Sequence, residues 1–161
     1  MRSRTKKILA VSSGGGHWVQ LRRMIPALEG HSLTFVTVNP VYKVDVPTFK
    51  FYSVNDATSW HKFKMAKMAL RMLWIVLREW PDVVISTGAA PGYFAIRFGK
   101  WIRAQTIWID SIANVEHLSK SGRLVRPYAD LWLTQWPHLA QEKGPHYNGN
   151  VIGIISQQIG V

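Results

Sequence analysis

Short apolar runs recur along the chain, with enough sequence between most of them for a helix. Runs without polar alternation are typical of parallel strands covered on both faces. The pattern predicts strands at Ile8–Val11, Ser32–Val38, Phe49–Val54, Asp82–Ser86, Gln105–Asp110, Ala129–Gln135 and Val151–Ile155. Because strands alternate with helical segments, we expect an α/β fold built on a doubly wound parallel sheet of about six or seven strands.

Helical spacing is clearest in three of the intervening segments. The first helix should follow Gly16 and end near Gly30, and a third is predicted over Tyr93–Arg103. The longest covers Trp60–Trp80 and is closed by Pro81, which cannot continue a helix. The segment Ser119–Arg123 reads as a loop.

The longest predicted helix carries its positive charges on one side. At about 100° per residue, four cations fall within roughly 60° of one another, with Trp60, Trp74 and Ile75 among or beside them. One interpretation is a solvated basic face on a helix packed against the sheet. The other is a face on anionic lipid, where Lys and Arg extend to the headgroups and Trp anchors the helix. The candidate membrane-binding residues are Trp60, Lys64, Lys67, Arg71, Trp74 and Arg78.

A glycine-rich turn follows the first predicted strand. Gly14, Gly15 and Gly16 let the backbone approach an anion closely, and a helix N-terminus after them adds partial positive charge. The spacing matches neither G-x-G-x-x-G nor a P-loop. We interpret it as a pyrophosphate-binding turn, with an ordinary tight turn as the alternative. His17 is either a structural residue that packs or caps the helix, or a residue that takes part in catalysis.

A second small-residue turn, Thr87–Gly92, follows the strand Asp82–Ser86. The strand after it delivers Asp110 and Ser111 to the same edge of the sheet, where open parallel sheets bind ligands. Asp110 could instead cap a helix or form a salt bridge. The candidate pyrophosphate-binding residues are Gly14, Gly15, Gly16, Thr87, Gly88 and Ser111, and the candidate catalytic residues are His17 and Asp110.

Composition narrows the classes of partner. The 161 residues suit one domain, and the absence of cysteine excludes disulfides and thiolate metal sites. A net charge of +11 favours anionic partners such as nucleic acid, anionic lipid or phosphorylated substrates. Eight tryptophans suit either base stacking or a membrane interface. The basic N-terminus precedes an apolar run too short for a signal-peptide core, so we expect no export by that route.

Several motifs together resemble those of a known family. They are SSGGGHW at 12–18, STGAAPG at 86–92, the Asp110-Ser111 pair, LSKSGR at 118–123, and ADL at 129–131 with QWP at 135–137. In this order the chain resembles the bacterial PssD-type exopolysaccharide proteins. These are relatives of the membrane-recruiting subunit of the eukaryotic two-protein enzyme that adds the second N-acetylglucosamine to dolichol-pyrophosphate-GlcNAc.

The resemblance implies a fold and an arrangement of subunits. Residues 1–161 would form a single Rossmann-like GT-B domain, equivalent to the N-terminal, acceptor-side half of the transferase that makes peptidoglycan lipid II. A separate, small UDP-sugar-binding subunit would supply the other half. Gly14–His17 match the loop that faces the acceptor pyrophosphate, and Asp110 stands where relatives commonly carry Glu. The eukaryotic relative has an N-terminal membrane helix that this sequence lacks, so we expect peripheral attachment.

The implied function is that of a subunit of an inverting, metal-independent glycosyltransferase, inactive without its partner. It would help to move a sugar from a UDP-sugar to a polyprenyl-pyrophosphate-linked saccharide in exopolysaccharide or capsule synthesis, at the cytoplasmic face of the inner (plasma) membrane. No cofactor or metal is expected, and His17 or Asp110 would accept the proton of the acceptor hydroxyl.

Two other classes of function stay open. A non-catalytic membrane scaffold that recruits a catalytic partner would share the fold without contributing chemistry. A basic nucleic-acid-binding domain would explain the charge, but the sequence carries no recognisable motif for one, and we expect no nucleic-acid partner.

Overall fold

A parallel sheet forms the centre of the protein. The computed structural model describes residues 4–57 and 61–151, and over these residues the sheet has seven strands, all paired in parallel. The strands are β1 Lys7–Val11, β2 Ser32–Thr37, β3 Lys50–Ser53, β4 Val83–Ser86, β5 Gln105–Ile109, β6 Leu131–Thr134 and β7 His146–Tyr147. Their order across the sheet is β3-β2-β1-β4-β5-β6-β7. The doubly wound α/β sheet predicted from the sequence is therefore confirmed.

Helices cover both faces of this sheet. They are α1 Gly16–Arg23, α2 Lys62–Glu79, α3 Ala89–Trp101 and α4 Lys120–Val125, with short 3₁₀ helices at Ile25–Leu28, Pro40–Asp45 and Pro137–Leu139. On one face α1 packs Trp18 and Leu21 against the sheet. On the other, α2 and α3 bury residues such as Met72 and Ile96 in a second core. Because both faces are covered, the central strands β1 and β4 are apolar almost throughout.

Two helices have bounds that differ from the prediction. The first ends at Arg23 rather than near Gly30, and the chain continues as the 3₁₀ helix that contains Pro26. Proline has no N–H for an α-helical hydrogen bond, so it favours this change. The third begins at Ala89 rather than Tyr93, with Pro91 in its first turn, where a missing N–H costs nothing.

Helix α4 occupies the segment that was predicted to be a loop. The Ser119 hydroxyl caps it by accepting a hydrogen bond from the Gly122 N–H at 2.8 Å. A hydrogen bond to Asp110, nine residues earlier and directly after β5, holds Ser119 in place. Local sequence therefore gave too little signal for this helix.

The last strand among the described residues is one that the sequence did not predict. β7 lies at His146–Tyr147, where it pairs with the end of β6. Val151 lies in a turn, and the rest of the predicted strand, 152–155, falls outside the described residues. Two residues are too few to produce a recognisable strand pattern, so only pairing with β6 reveals β7.

A charged cluster ties the edge strand β3 to the end of α2. Glu79 accepts hydrogen bonds from the Lys50 ammonium at 2.9 Å and the Tyr52 hydroxyl at 2.5 Å. Burial acts to raise the pKa of Glu79, but these hydrogen bonds outweigh it and lower the pKa below its ordinary value. The carboxylate therefore stays charged and fixes α2 on the sheet.

Candidate functional site

Both glycine turns lie side by side at the carboxyl edge of the sheet. β1 and β4 are neighbours, with Val11 paired to Ser86, so the turn after each strand emerges beside the other. The connections from β1 run to one side of the sheet, whereas β4 begins the other side. This reversal is the point at which open α/β sheets bind ligands.

Reciprocal hydrogen bonds join the two turns through His17. The His17 Nδ1 lies 2.8 Å from the Thr87 carbonyl oxygen, and the Thr87 hydroxyl donates to the His17 carbonyl at 2.8 Å. A carbonyl can only accept, so Nδ1 carries the proton, and the lone pair of the neutral form of the ring lies on Nε2. The contact thus leaves Nε2 as the nitrogen that can take up a proton.

Gly88 makes room for the imidazole. Its φ is +139°, a conformation that L side chains rarely adopt, and a Cβ there would lie 2.5 Å from the His17 ring. Any side chain at this position would displace the ring from Thr87. The second turn therefore supports His17 because its backbone at Gly88 can lie close to the imidazole ring.

The first turn faces open space. Gly15 has a φ of +62°, and a Cβ added at Gly15 or Gly16 would meet nothing within 4 Å. Helix α1 begins at Gly16, and the N–H groups of its first turn precede the intrahelical hydrogen bonds. The Gly15 N–H already donates to the Tyr42 hydroxyl at 3.0 Å. This arrangement leaves the N–H groups of Gly16 and His17 for an anion.

Three predicted pyrophosphate ligands have their polar groups engaged inside the protein. The Thr87 hydroxyl binds the His17 carbonyl, and the Gly88 N–H donates to the Ser86 hydroxyl at 3.1 Å. The Ser111 hydroxyl accepts from the Ala113 N–H at 3.3 Å, and all three residues are buried. Direct ligand contact by Thr87, Gly88 and Ser111 is therefore not supported, and their contacts instead hold the turns in place.

Asp110 has a structural environment. Its side chain is 1% exposed, and its carboxylate accepts from the Ser119 N–H at 2.9 Å and the Ser119 hydroxyl at 2.6 Å. A Cβ at Gly122 would lie 2.9 Å from the same carboxylate. Asp110 therefore holds Ser119, the residue that caps α4, which is a structural role although Asp110 is not itself the cap. Of the two candidate bases, the geometry favours His17.

Two buried glutamines hold the backbone after β5. From the sequence, Gln135 was named only as part of a predicted strand and of the QWP motif, and Gln20 was not singled out. The Gln20 amide donates to the Asp110 carbonyl at 3.2 Å and accepts from the Ile112 N–H at 3.1 Å. The Gln135 amide donates to the same carbonyl at 2.8 Å. Tyr42, also missed, reaches the first turn from a 3₁₀ helix. In the sequence, the only local sign of such a buried role is a glutamine that stands next to apolar residues.

Helix α2 exposes an apolar row beside its cationic row. Lys64, Lys67, Arg71 and Arg78 are exposed, and the Trp74 ring lies between the Arg71 and Arg78 guanidinium groups, at 4.4 and 5.2 Å. Ile75, predicted to lie beside these charges, is fully buried. The apolar row consists of Phe63, Leu70 and Leu77, which are 89%, 69% and 48% exposed. Trp60 lies outside the described residues.

The described residues hold neither a group of metal-binding side chains nor a helix that could span a membrane. Across 4–57 and 61–151, no three His, Asp or Glu side chains come together as a group that could hold a metal ion. Among the helices of this part of the chain, none is both long enough and apolar enough to cross a membrane.

Comparison with protein families gives one matching model. The model described as "Oligosaccharide biosynthesis protein Alg14 like" matches residues 43–151. The UDP-N-acetylglucosamine transferase subunit ALG14 of Yarrowia lipolytica is 35% identical over 86 residues, covering 48% of this chain and 39% of that protein. The subunit of the same name from Eremothecium gossypii is 49% identical over 79 residues, covering 45% and 35%. The matched region thus spans well under half the length of these relatives.

Solved structures share the fold at low identity. MurG of Acinetobacter baumannii superimposes with a TM-score of 0.72 at 10% identity, covering 90% of this chain and 45% of that one. The UDP-GlcNAc 2-epimerase of Methanocaldococcus jannaschii gives a TM-score of 0.62 at 14% identity, covering 80% and 39%. These likenesses show a Rossmann-like α/β fold of the GT-B type.

Proposed function

The chain belongs to the Alg14-like family of oligosaccharide biosynthesis proteins, and on that premise we propose that it is the acceptor-binding subunit of a two-component glycosyltransferase. The reaction moves a sugar from a UDP-sugar to a polyprenyl-pyrophosphate-linked saccharide. Within the family we place the chain with the bacterial PssD-type proteins, which assigns it to exopolysaccharide or capsule synthesis. The curated relatives are named as subunits of a UDP-N-acetylglucosamine transferase, so N-acetylglucosamine is the first sugar to test.

The meeting of the two glycine turns around His17 carries this proposal. A pyrophosphate in front of Gly16 would accept hydrogen bonds from the free N–H groups of the first turn of α1 and gain from the helix dipole. The same contacts would hold the attached saccharide close to His17. An acceptor anchored in this way needs little further entropy loss to react.

His17 is the proposed general base. Its Nε2 takes the proton from the acceptor hydroxyl while the hydroxyl oxygen bonds to the anomeric carbon of the donor sugar. The bond from that carbon to the UDP oxygen breaks, and UDP leaves with the electron pair. Attack from the side opposite the leaving group inverts the anomeric centre.

We propose that residues 1–161 form one domain that supplies only the acceptor wall of the cleft. A small UDP-sugar-binding subunit supplies the donor wall. The relatives are themselves named as subunits of a transferase, which supports a second chain in their enzymes. The exposed face of α2, with its cationic and apolar rows, would lie peripherally on the anionic cytoplasmic leaflet.

Reconstitution with the partner tests the function. The purified chain alone is expected to transfer no sugar from UDP-GlcNAc to a farnesyl-pyrophosphate-linked GlcNAc, because half of the cleft is missing. Addition of the co-expressed UDP-sugar-binding subunit should restore transfer. Repeated turnover by this chain alone, with partner contamination excluded, would contradict the division into two halves. Full activity of a complex that carries His17→Ala would instead favour a non-catalytic scaffold.

A further inference from the structure

An open groove lies where the N-terminal parts of α2, α3 and α4 meet. Its volume is about 410 Å³. Its walls combine apolar side chains with one cation, and they are formed by Ala57, Met65, Ala89, Ala90, Tyr93, Phe94, Lys120, Ser121 and Leu124. Nothing in the chemistry described above uses this groove.

One end of the groove adjoins the candidate site. Ala89 and Ala90 directly follow Gly88, the residue packed against the His17 ring. Ala89 has a φ of +64°, which is uncommon for a residue with a side chain and marks a backbone held by its surroundings. A ligand in the groove would therefore lie next to the turn that positions His17.

Two further apolar walls of the groove come from α2 and α4. Met65 of α2 lines the groove from a side of that helix other than the one that exposes Phe63, because residues two apart on a helix do not face each other. Leu124 of α4 also lines the groove and is 52% exposed. The groove therefore reaches the protein surface at Leu124 and the candidate site at Ala89.

Size and charge limit the occupant. A volume of 410 Å³ lies in the range of small-molecule sites. It would hold about 13 groups of the size of a water molecule, which corresponds to roughly two to three five-carbon units. Lys120 supplies a positive charge at the wall. The groove therefore suits a molecule with an apolar chain attached to an anionic head.

We propose that this groove binds the isoprene units nearest the pyrophosphate of the polyprenyl acceptor, an inference that rests on the proposed function. The chain fills the apolar groove while the pyrophosphate lies between Lys120 and the first glycine turn. The remaining isoprene units leave the groove past the exposed Leu124 side chain towards the bilayer. The acceptor is then selected by its lipid as well as by its sugar.

Binding of farnesyl pyrophosphate to the purified chain tests this inference without partner, membrane or turnover. The probe should bind at least ten-fold more tightly than inorganic pyrophosphate in calorimetric titration. Leu124→Asp should weaken the binding of farnesyl pyrophosphate about ten-fold more than that of inorganic pyrophosphate. The added charge opposes Lys120 for both ligands, but only the farnesyl chain would bury the carboxylate in an apolar contact. Val44→Asp is the matched control, since Val44 is 74% exposed and lies away from the groove.

A second variant narrows the groove with an apolar side chain. Ala90→Leu should lower affinity for farnesyl pyrophosphate more than for the five-carbon dimethylallyl pyrophosphate. Thermal unfolding of each variant verifies that it folds, and Leu124→Ser replaces Leu124→Asp if that variant does not. Equal affinities for farnesyl pyrophosphate and pyrophosphate, or variants that bind like the wild type, would overturn the groove assignment.

The same experiment separates the groove from the function. If the variants lose farnesyl pyrophosphate but the assembled complex transfers no sugar, the groove stands and the proposed function fails. If the complex is active and Leu124→Asp leaves the KM for long-chain and short-chain acceptors unchanged, the function stands and the groove assignment is wrong.

Discussion

At the scale of single residues, one backbone carbonyl determines which nitrogen of His17 can accept a proton. The Thr87 carbonyl holds Nδ1–H, so Nε2 keeps its lone pair. Asp110, the other candidate, has both oxygens engaged by Ser119 and is buried. The fold therefore separates the two candidates: His17 keeps a nitrogen that can accept a proton, whereas both carboxylate oxygens of Asp110 are already hydrogen-bonded.

Replacing the proposed base should slow the chemical step. We expect His17→Ala to lower kcat of the assembled complex by about 100-fold or more, the usual size of a general-base contribution. His117→Ala is the control, because His117 is an exposed imidazole in the loop after β5. Steady-state kinetics with saturating acceptor measure the effect. Near-normal turnover of His17→Ala would return His17 to a structural role.

Gly16 offers a test of the anion site that leaves the fold intact. A Cβ at Gly16 meets no atom within 4 Å and requires no positive φ, so Gly16→Ala should keep or slightly raise the unfolding temperature. The methyl group would stand in front of the turn and should raise the KM for the pyrophosphate-linked acceptor several-fold. Gly15→Ala differs, because at φ +62° it should cost about 1 kcal/mol of stability. An unchanged KM for Gly16→Ala would place the pyrophosphate elsewhere.

At the scale of elements, α2 has two distinct faces. Its buried face inserts Met68, Met72, Ile75 and Val76 into the core. Its exposed face combines the cationic row with the apolar row of Phe63, Leu70 and Leu77. Cations alone bind lipid weakly, whereas apolar side chains beside them can enter the interface.

Charge reversal on α2 should release the protein from membranes. Each cation near an anionic leaflet contributes about 1 kcal/mol, so the four in the row supply roughly 4 kcal/mol before screening by salt. We expect Lys67→Glu, Arg71→Glu and Arg78→Glu together to abolish co-sedimentation with phosphatidylserine vesicles at low salt. The control reverses the exposed Arg103, Arg126 and Lys143, which changes the net charge equally. Unchanged sedimentation of the α2 variant would show that attachment lies elsewhere.

At the scale of the whole molecule, the sheet topology assembles the site. The switch point between β1 and β4 brings together turns that are some seventy positions apart, as the His17–Thr87 hydrogen bond shows. The groove needs the ends of three helices, none of which forms it alone. A net charge of +11 adds a general attraction to anionic membranes and phosphorylated substrates.

The sequence by itself determined the elements whose signal is local. Short, mostly apolar runs place β1, β2, β4, β5 and β6, because strands buried on both faces need few polar residues. The glycine turn and the charged row of α2 are likewise readable from neighbouring residues. The family resemblance added the GT-B fold, which the likeness to MurG supports.

Tertiary structure alone decided what each polar group does. Asp110 became an anchor for α4 because Ser119 folds back on it, and Thr87 became the support of His17 because β1 and β4 are neighbours. Tyr42 reaches the first turn from a 3₁₀ helix that the sequence did not predict, and Gln20 of the predicted helix α1 bonds the backbone after β5. Each role depends on a hydrogen bond between different parts of the fold, nine residues apart for Asp110 and Ser119 and seventy for His17 and Thr87, and such partners are decided only when the chain packs.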